Sequence, residues 1–264
     1  MAKRAPADAV TWWGHSTTMI EVGGERLLTD PLLRDRVSAL RWAGEPPPAR
    51  LAESVSAVLV SHLHSDHLDL PSLAMFAPGT PILVPQGAGN LVRPRVRGEV
   101  REVRVGDQVK VGSVTVHVVH AEHDGRRWPV GRPVPALGYL VCGGTRGGAI
   151  VFFAGDTDLH PSMADLRDVD IGLALLPVWG WGPALGTGHL DPRRAAEALR
   201  LLEPAKAVPI HWGGLRVPVL WRVRPTRITE PGAEFARAAA RIAPAVEVVV
   251  PAPGTRVAVP GPRG

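Results

Sequence analysis

The densest chemistry in the chain lies in SHLHSDHLDL. This stretch follows the apolar run AVLV and sets His62, His64, Asp66 and His67 within six positions. Residues i and i+2 of an extended strand end share a side, so His62 and His64 can converge on one cation. Asp66 and His67 fall where the chain turns and can face a second cation nearby. Imidazole and carboxylate are the donors expected for zinc, manganese or iron. A histidine can also cap a helix or fill a core hydrogen bond. Three of them with an aspartate beside one strand disfavour that explanation. The remaining donors belong at other strand ends, where a rigid sheet can aim them. His120 and His123 follow VTVHVV, Asp156 follows AIVFFAG, and His211 ends KAVPIH. Singly, Asp156 could be an N-cap and His211 a packed core imidazole; their joint occurrence weakens both readings.

Short apolar or alternating runs bounded by Gly, Pro or charged turns must position these residues, and such punctuation predicts strands. They are VTWW, TMIEV, RLLTD, SAVLVSH, PILVP, REVRV and VTVHVV, then LGYLV, AIVFFAG, IGLALLPV and KAVPIH. Gly23-Gly24 between two of them predicts a hairpin turn. Asp191-Pro192 is an N-cap acid followed by proline at the first helical position, and it opens a helix that stops before Glu203-Pro204. Ala195, Ala196, Leu199 and Leu202 share one face of that helix. A second helix begins near Pro231 and ends at Ala243-Pro244. The segment from Leu33 to Ala52, with Pro46-Pro47-Pro48, reads as a long loop. Strands with interspersed helices imply a layered α/β architecture.

Composition removes several classes. With 45% hydrophobic and 21% charged residues over 264 positions, the chain is neither disordered, collagen-like nor a coiled coil. The lone Cys142 excludes an intrachain disulfide framework and a Cys-rich zinc site. No apolar run approaches the roughly 18 residues of a membrane span. The opening MAKRAPADAVTWWGH lacks the apolar core of a signal peptide, so a soluble, cytoplasmic protein is expected. A net charge of +5 could suggest nucleic acid. However, all but Lys3, Lys110 and Lys206 of the 30 basic residues are arginine, dispersed without a block. That pattern fits a coding bias and argues against a nucleic-acid surface.

Six segments, in order, resemble signatures of the metallo-β-lactamase superfamily. They are WWGHSTTMIEVGGERLLTDP, SHLHSDHLDL, AEHDGRR, FFAGDT, GHLDPRRAAEA and PIHWGG. The branch they resemble most contains ascorbate-6-phosphate lactonase and N-acyl phosphatidylethanolamine phospholipase D. The resemblance spans nearly the whole chain. It implies one domain over residues 1–264, with 260–264 a frayed tail. The implied fold is α/β, a four-layer αββα sandwich with two mixed sheets and outer helices. The resemblance also implies His62, His64 and His123 on one metal ion, Asp66, His67 and His211 on a second, and Asp156 bridging both. His123 is preferred because Arg126 or Arg127 follows at the family distance; His120 is the alternate. His15 and His189 are implied to be non-ligand histidines beside the metals that meet substrate.

The implied cofactors are two divalent ions, zinc first, with manganese or iron as alternatives. Two such ions close together can lower the pKa of a bridging water, and the resulting hydroxide would attack phosphorus or a carbonyl carbon. Asp66 could orient that nucleophile and take its proton, and Asp30 is a candidate acceptor for a ligand histidine's second N–H. His189 precedes the Asp191 cap, so the helix N-terminus favours an anionic group in the same corner. The expected protein is therefore a metal-dependent hydrolase of a small ester or phosphoester, of phosphodiesterase or lactonase type. Two alternatives stand beside it: an iron-dependent oxidoreductase on the same fold, and a non-catalytic, metal-stabilised nucleic-acid-binding module. Trp42, Trp179, Trp181 and Trp212 fall in loops near the proposed strand ends and could form an apolar wall. Packing between layers is the expectation for Trp12, Trp13 and Trp221.

Overall fold

The computed structural model describes residues 7–38, 40–127, 133–144, 147–179, 186–216 and 230–263. Strands are numbered along the chain. One sheet runs β17 (Arg256–Ala258), β1 (Ala9–Gly14), β2 (Thr17–Val22), β3 (Glu25–Thr29), β6 (Ala57–Leu59), β7 (Pro81–Pro85), β8 (Glu99–Val103). The other runs β16 (Glu247–Val248), β14 (Lys206–Ile210), β13 (Leu173–Pro177), β12 (Ile150–Phe153), β11 (Pro135–Cys142), β10 (Val114–Asp124), β9 (Gln108–Val111). Each sheet is mixed. In the first, pairing is antiparallel from β17 to β3 and parallel from β3 to β8. In the second, it is antiparallel from β9 to β12 and parallel from β12 to β16.

The sequence explains this division. The apolar runs AVL of β6 and LALLP of β13 are buried at every position, as a parallel strand covered on both faces requires. The first half of β10 alternates buried and half-buried residues, the pattern of an antiparallel strand with one inward face. Inner faces of the two sheets meet in one core that includes Val10, Ile20 and Leu27 from one side and Val116, Leu137 and Val151 from the other.

Helices complete the four layers. The Pro192–Leu202 helix starts as expected, with the Asp191 side chain accepting from Arg194 N at 2.8 Å, and it stops at Glu203 in the left-handed region. Its Ala195, Ala196, Leu199 and Leu202 pack with Phe235 and Ala239 of the Pro231–Ile242 helix over Phe152, Ala174 and Leu176. The outer face of the other sheet is covered by Leu68, Phe76 and the single turns Leu70–Leu73 and Gly89–Val92.

One expectation is corrected. Residues Leu33 to Ala52 are not one loop: β4 (Arg36–Val37) and β5 (Leu40–Trp42) join β15 (Leu215–Arg216) in a small third sheet, and a 3-10 turn spans Ala49–Ala52. The strand partner of Trp42 is Leu215, so no local pattern could announce it. The C-terminal segment makes contacts on both sides of residue 260. Val257 pairs with Val10 at the sheet edge, and the Arg263 side chain and N–H both bond Asp170, at 2.9 Å each.

The small sheet serves the site. It lays the buried Trp42 ring across the turn after β1, so a Cβ at Gly14 would sit 2.7 Å from Trp42 Cζ3. Gly14 also has φ +116, where only glycine is at ease. The turn it makes delivers His15.

Candidate metal centre

Most of the candidate ligand residues lie just past the carboxyl ends of parallel strands, where open α/β sheets place their sites; His123, on antiparallel β10, is the exception. Residues 61–67 follow β6, Asp156 follows β12, His211 follows β14, and His123 lies near the end of β10. Close approach of the two sheets is made possible at Gly155, φ +63, whose Cβ would lie 2.8 Å from both Leu137 O and Ser61 Cβ. The sheets are also tied there directly, by Tyr139 Oη donating to Val60 O at 2.7 Å and Leu137 N to Ser61 O at 2.9 Å.

Every ligand expected from the sequence converges on one hollow. His62, His64 and His123 form one group whose donor atoms all lie within 4.8 Å of one another, and Asp66, His67 and His211 form another with His15. Asp156 reaches both sides. Its Oδ2 lies 3.1 Å from His211 Nε2 and 3.3 Å from His67 Nε2, and it also groups with His62 and with His123 and His189. His120 does not join them. Its exposed ring pairs with Glu122 at 3.1 Å and meets His160, and of the two histidines only His123 groups with His62 and His64 among the described residues.

Donor chemistry fits cations. His64 Nδ1 and His123 Nε2 are 3.2 Å apart, and His67 Nε2 and His211 Nε2 3.1 Å apart. Two imidazole lone pairs cannot face each other at such distances without a proton or a cation between them. His62 Nε2 and Asp156 Oδ1 are buried with no hydrogen-bond partner among the described residues. Buried polar atoms of this kind call for an ion or ordered water.

The electrostatics of the bare chain agree. Burial would raise the Asp156 carboxyl, but His211 and His67 hold it well below the usual range, and His67 does the same for Asp66. Burial opposes protonation of His67, yet Asp156, Asp66 and Asp30 lift it well above the ordinary value. His211 rises to about 9 against the same penalty, chiefly through Asp156. His62 moves the other way, held well below its usual value by burial and then by His67; burial and then His123 bring His64 down to about 4. One half of the hollow thus offers neutral imidazoles, and the other gathers carboxylates that demand positive charge.

Outer contacts fix each ring. His67 Nδ1 lies 2.7 Å from Asp30 Oδ2, as anticipated for Asp30. His123 Nδ1 donates to Gly188 O at 2.7 Å, and His211 Nδ1 to the carbonyl of Trp179. His15 is buried behind Asp66, with Nε2 3.1 Å from Asp66 Oδ2 and its ring centroid 4.2 Å from that of His211. Burial and then His211 lower the His15 imidazole to about 3, so a neutral ring donates to the carboxylate. Its carbonyl accepts from His211 N and Trp12 Nε1, both at 2.8 Å. His15, Asp30 and His211 all have positive φ, strain of the kind that persists where the surroundings over-determine a site. His189 stands at the rim, its side chain 26% exposed and its Nε2 3.9 Å from Asp156 Oδ2.

Sequence reasoning missed two supports. Ser61 contacts both Asp30 and His62, and its only signal was its place before His62 in SHLH. Arg127, noticed only as a spacing mark, donates to Leu63 O at 3.2 Å and Leu68 O at 2.7 Å, clamping the loop between them. The aromatic wall is also revised. Trp42 is buried in the small sheet, and Trp212 stacks on Trp12 with centroids 5.1 Å apart, so both pack the fold. Trp179 contributes its carbonyl, whereas Trp181 and Trp221 lie outside the described residues.

Relatives of this four-layer sandwich, whose strand ends gather five histidines and two aspartates, are metal-dependent hydrolases. The beta-lactamase superfamily domain matches residues 25–212, and the chain belongs to the metallo-β-lactamase superfamily. A metal-dependent hydrolase of Methanopyrus kandleri is 30% identical over 93% of this chain and 97% of its own length. The N-acyl-phosphatidylethanolamine-hydrolyzing phospholipase D 1 of Caenorhabditis elegans is 28% identical over 77% of this chain and 63% of its own. A metallo hydrolase from Ignicoccus hospitalis shares the fold, with TM-score 0.70 and 23% identity over 96% of this chain and 98% of that one. No helix among the described residues is long and apolar enough to cross a membrane.

Proposed function

We propose that this protein hydrolyses a small ester, a phosphodiester or a lactone, at a pair of divalent ions, zinc first. One observation carries the reading: Asp156 stands within reach of both histidine groups, a position from which one carboxylate can serve two ions. His62, His64 and His123 would hold one ion, Asp66, His67 and His211 the other, and Asp156 both. When bound, such a pair supplies a water acidic enough to act as nucleophile and polarises the substrate oxygen. The chain does the rest. Asp66, held by His15, orients that water and takes its proton. His189 at the rim has an Nε2 free to donate to oxygen charge developing on the substrate. Burial and then nearby histidines, against the pull of Asp156, lower its imidazole, so it donates as a neutral group. A phosphodiester is favoured by the likeness to the nematode phospholipase D.

The test is a panel of bis-p-nitrophenyl phosphate, sugar lactones and an acyl-glycerophospholipid. Metal-stripped protein is reloaded separately with zinc, manganese and iron. Turnover should appear in at least one metal form and vanish in His64→Ala and Asp156→Ala. Activity that survives both substitutions, or no turnover of any ester, overturns the assignment.

A further inference from the structure

Ser61 is buried between two neighbours that belong to different parts of the centre. Its hydroxyl donates to Asp30 Oδ2 at 2.6 Å, and the same oxygen lies 3.0 Å from His62 Nδ1. A hydroxyl carries one proton. With that proton given to Asp30, only lone pairs face His62, so the His62 ring must carry hydrogen on Nδ1. Its Nε2 is then bare, and this is the atom left without a partner in the hollow. Asp30 Oδ2 also accepts from His67 Nδ1 at 2.7 Å, which leaves His67 Nε2 to face inward on the other side. The second carboxylate oxygen, Oδ1, accepts from Ser61 N at 2.7 Å. This last bond prevents the carboxylate from rotating, and Asp30 N is itself bonded to Leu59 O at 2.9 Å.

We propose that Asp30 and Ser61 act as one positioning device that sets the tautomer of a ligand histidine on each side of the centre, directly for His67 and through the Ser61 hydroxyl for His62. The device rests on the two-ion reading above, and it divides its effects unequally. Ser61→Ala cuts only the branch to His62. Asp30→Asn reverses both. The amide oxygen must stay where Ser61 N–H points, so the amide nitrogen takes the place of Oδ2 and donates. His67 Nδ1 then becomes an acceptor and its hydrogen moves to Nε2. Ser61 accepts from the amide and turns its proton onto His62 Nδ1, which closes His62 Nε2 in the same way.

The experiment titrates metal-free protein with zinc against a chromophoric chelator, counts bound zinc by mass spectrometry, and records ¹H–¹⁵N correlations of the histidine rings in the zinc-loaded form. The parent chain should bind two ions and show Nδ1–H signals for His62 and His67. Loss of an outer partner typically weakens binding about 10–100-fold. Ser61→Ala should therefore weaken one ion by about that factor, hold the other within about threefold, and keep the His67 Nδ1–H signal. Asp30→Asn should weaken both ions and lose both signals. If Ser61→Ala weakens both ions alike or neither, or Asp30→Asn spares one, the device is refuted. Should Asp30→Asn fail to fold, the Ser61→Ala result decides alone. A parent chain that binds fewer than two zinc ions overturns the two-ion reading instead.

Discussion

Asp156→Asn isolates charge from shape. The residue is 2% exposed, and asparagine matches its volume, so no cavity opens and packing is untouched. What changes is one negative charge that both histidine groups share: Oδ2 lies 3.1 Å from His211 and 3.3 Å from His67, and the carboxylate also groups with His62 and with His123. Unit charges about 4 Å apart attract by about 4 kcal/mol at an effective dielectric near 20. At about 1.4 kcal/mol per factor of ten, that is close to three decades of affinity. Zinc binding in Asp156→Asn should weaken about 10³-fold at both subsites. Asp66→Asn should weaken chiefly one, because Asp66 Oδ2 lies within 4 Å of His15, His67 and His211, all on the same side of the centre. Equilibrium dialysis followed by metal analysis reads both variants, with circular dichroism to check that each is folded. Two ions retained at parental affinity in Asp156→Asn would refute the reasoning, and so would equal losses at both subsites in Asp66→Asn.

Other outcomes follow from the same geometry. Gly14→Ala must hold alanine at φ +116 and push Trp42 aside. The strain costs about 1–3 kcal/mol and the overpacking about as much again. Its melting temperature should fall by at least about 4 °C, since a domain of this size loses roughly 2–4 °C per kcal/mol. His189→Ala should lower turnover about 10²-fold with both ions retained, measured by steady-state kinetics beside metal analysis. His120→Ala should change turnover by less than about twofold, because that ring faces Glu122 and His160 on the outside. Arg127→Ala deprives the Leu63 and Leu68 carbonyls of a half-buried donor, and a chemical-denaturation curve should show a loss of about 1–3 kcal/mol.

Much of the candidate centre was legible because its donor residues sit at the ends of regular strands. His62, His64, Asp66 and His67 are contiguous, so one strand and one turn place them all. Asp156 and His211 each follow an apolar run that reads as a buried strand, and His123 lies near the end of an alternating one. The Pro192–Leu202 helix was equally open to reading, since Asp191, Pro192 and the spaced Ala and Leu residues all agree. Local pattern ends there. That Trp42 pairs with Leu215, and that β17 closes the sheet beside β1, depends on partners hundreds of ångströms apart along an extended chain. Backbone carbonyls leave no mark in a sequence, so the parts taken by Trp179 and Gly188 were invisible until the chain was folded.

Residue types and order alone determined the chemistry available to this protein: hard and borderline donors, no thiolate cluster, and strand ends to carry them. Tertiary structure decided which of these donors come together. His120 and His123 lie on the same strand, and the shift in β10–β11 register between Ala121 and Asp124 lies beside the point where one ring faces out and the other in. It decided as well that Trp42 and Trp212 are packing, and that Ser61 bonds both Asp30 and His62. The physical reason is that a hydrogen bond or an ion responds to distances of a few ångströms in space, and spacing along the chain limits those distances without setting them.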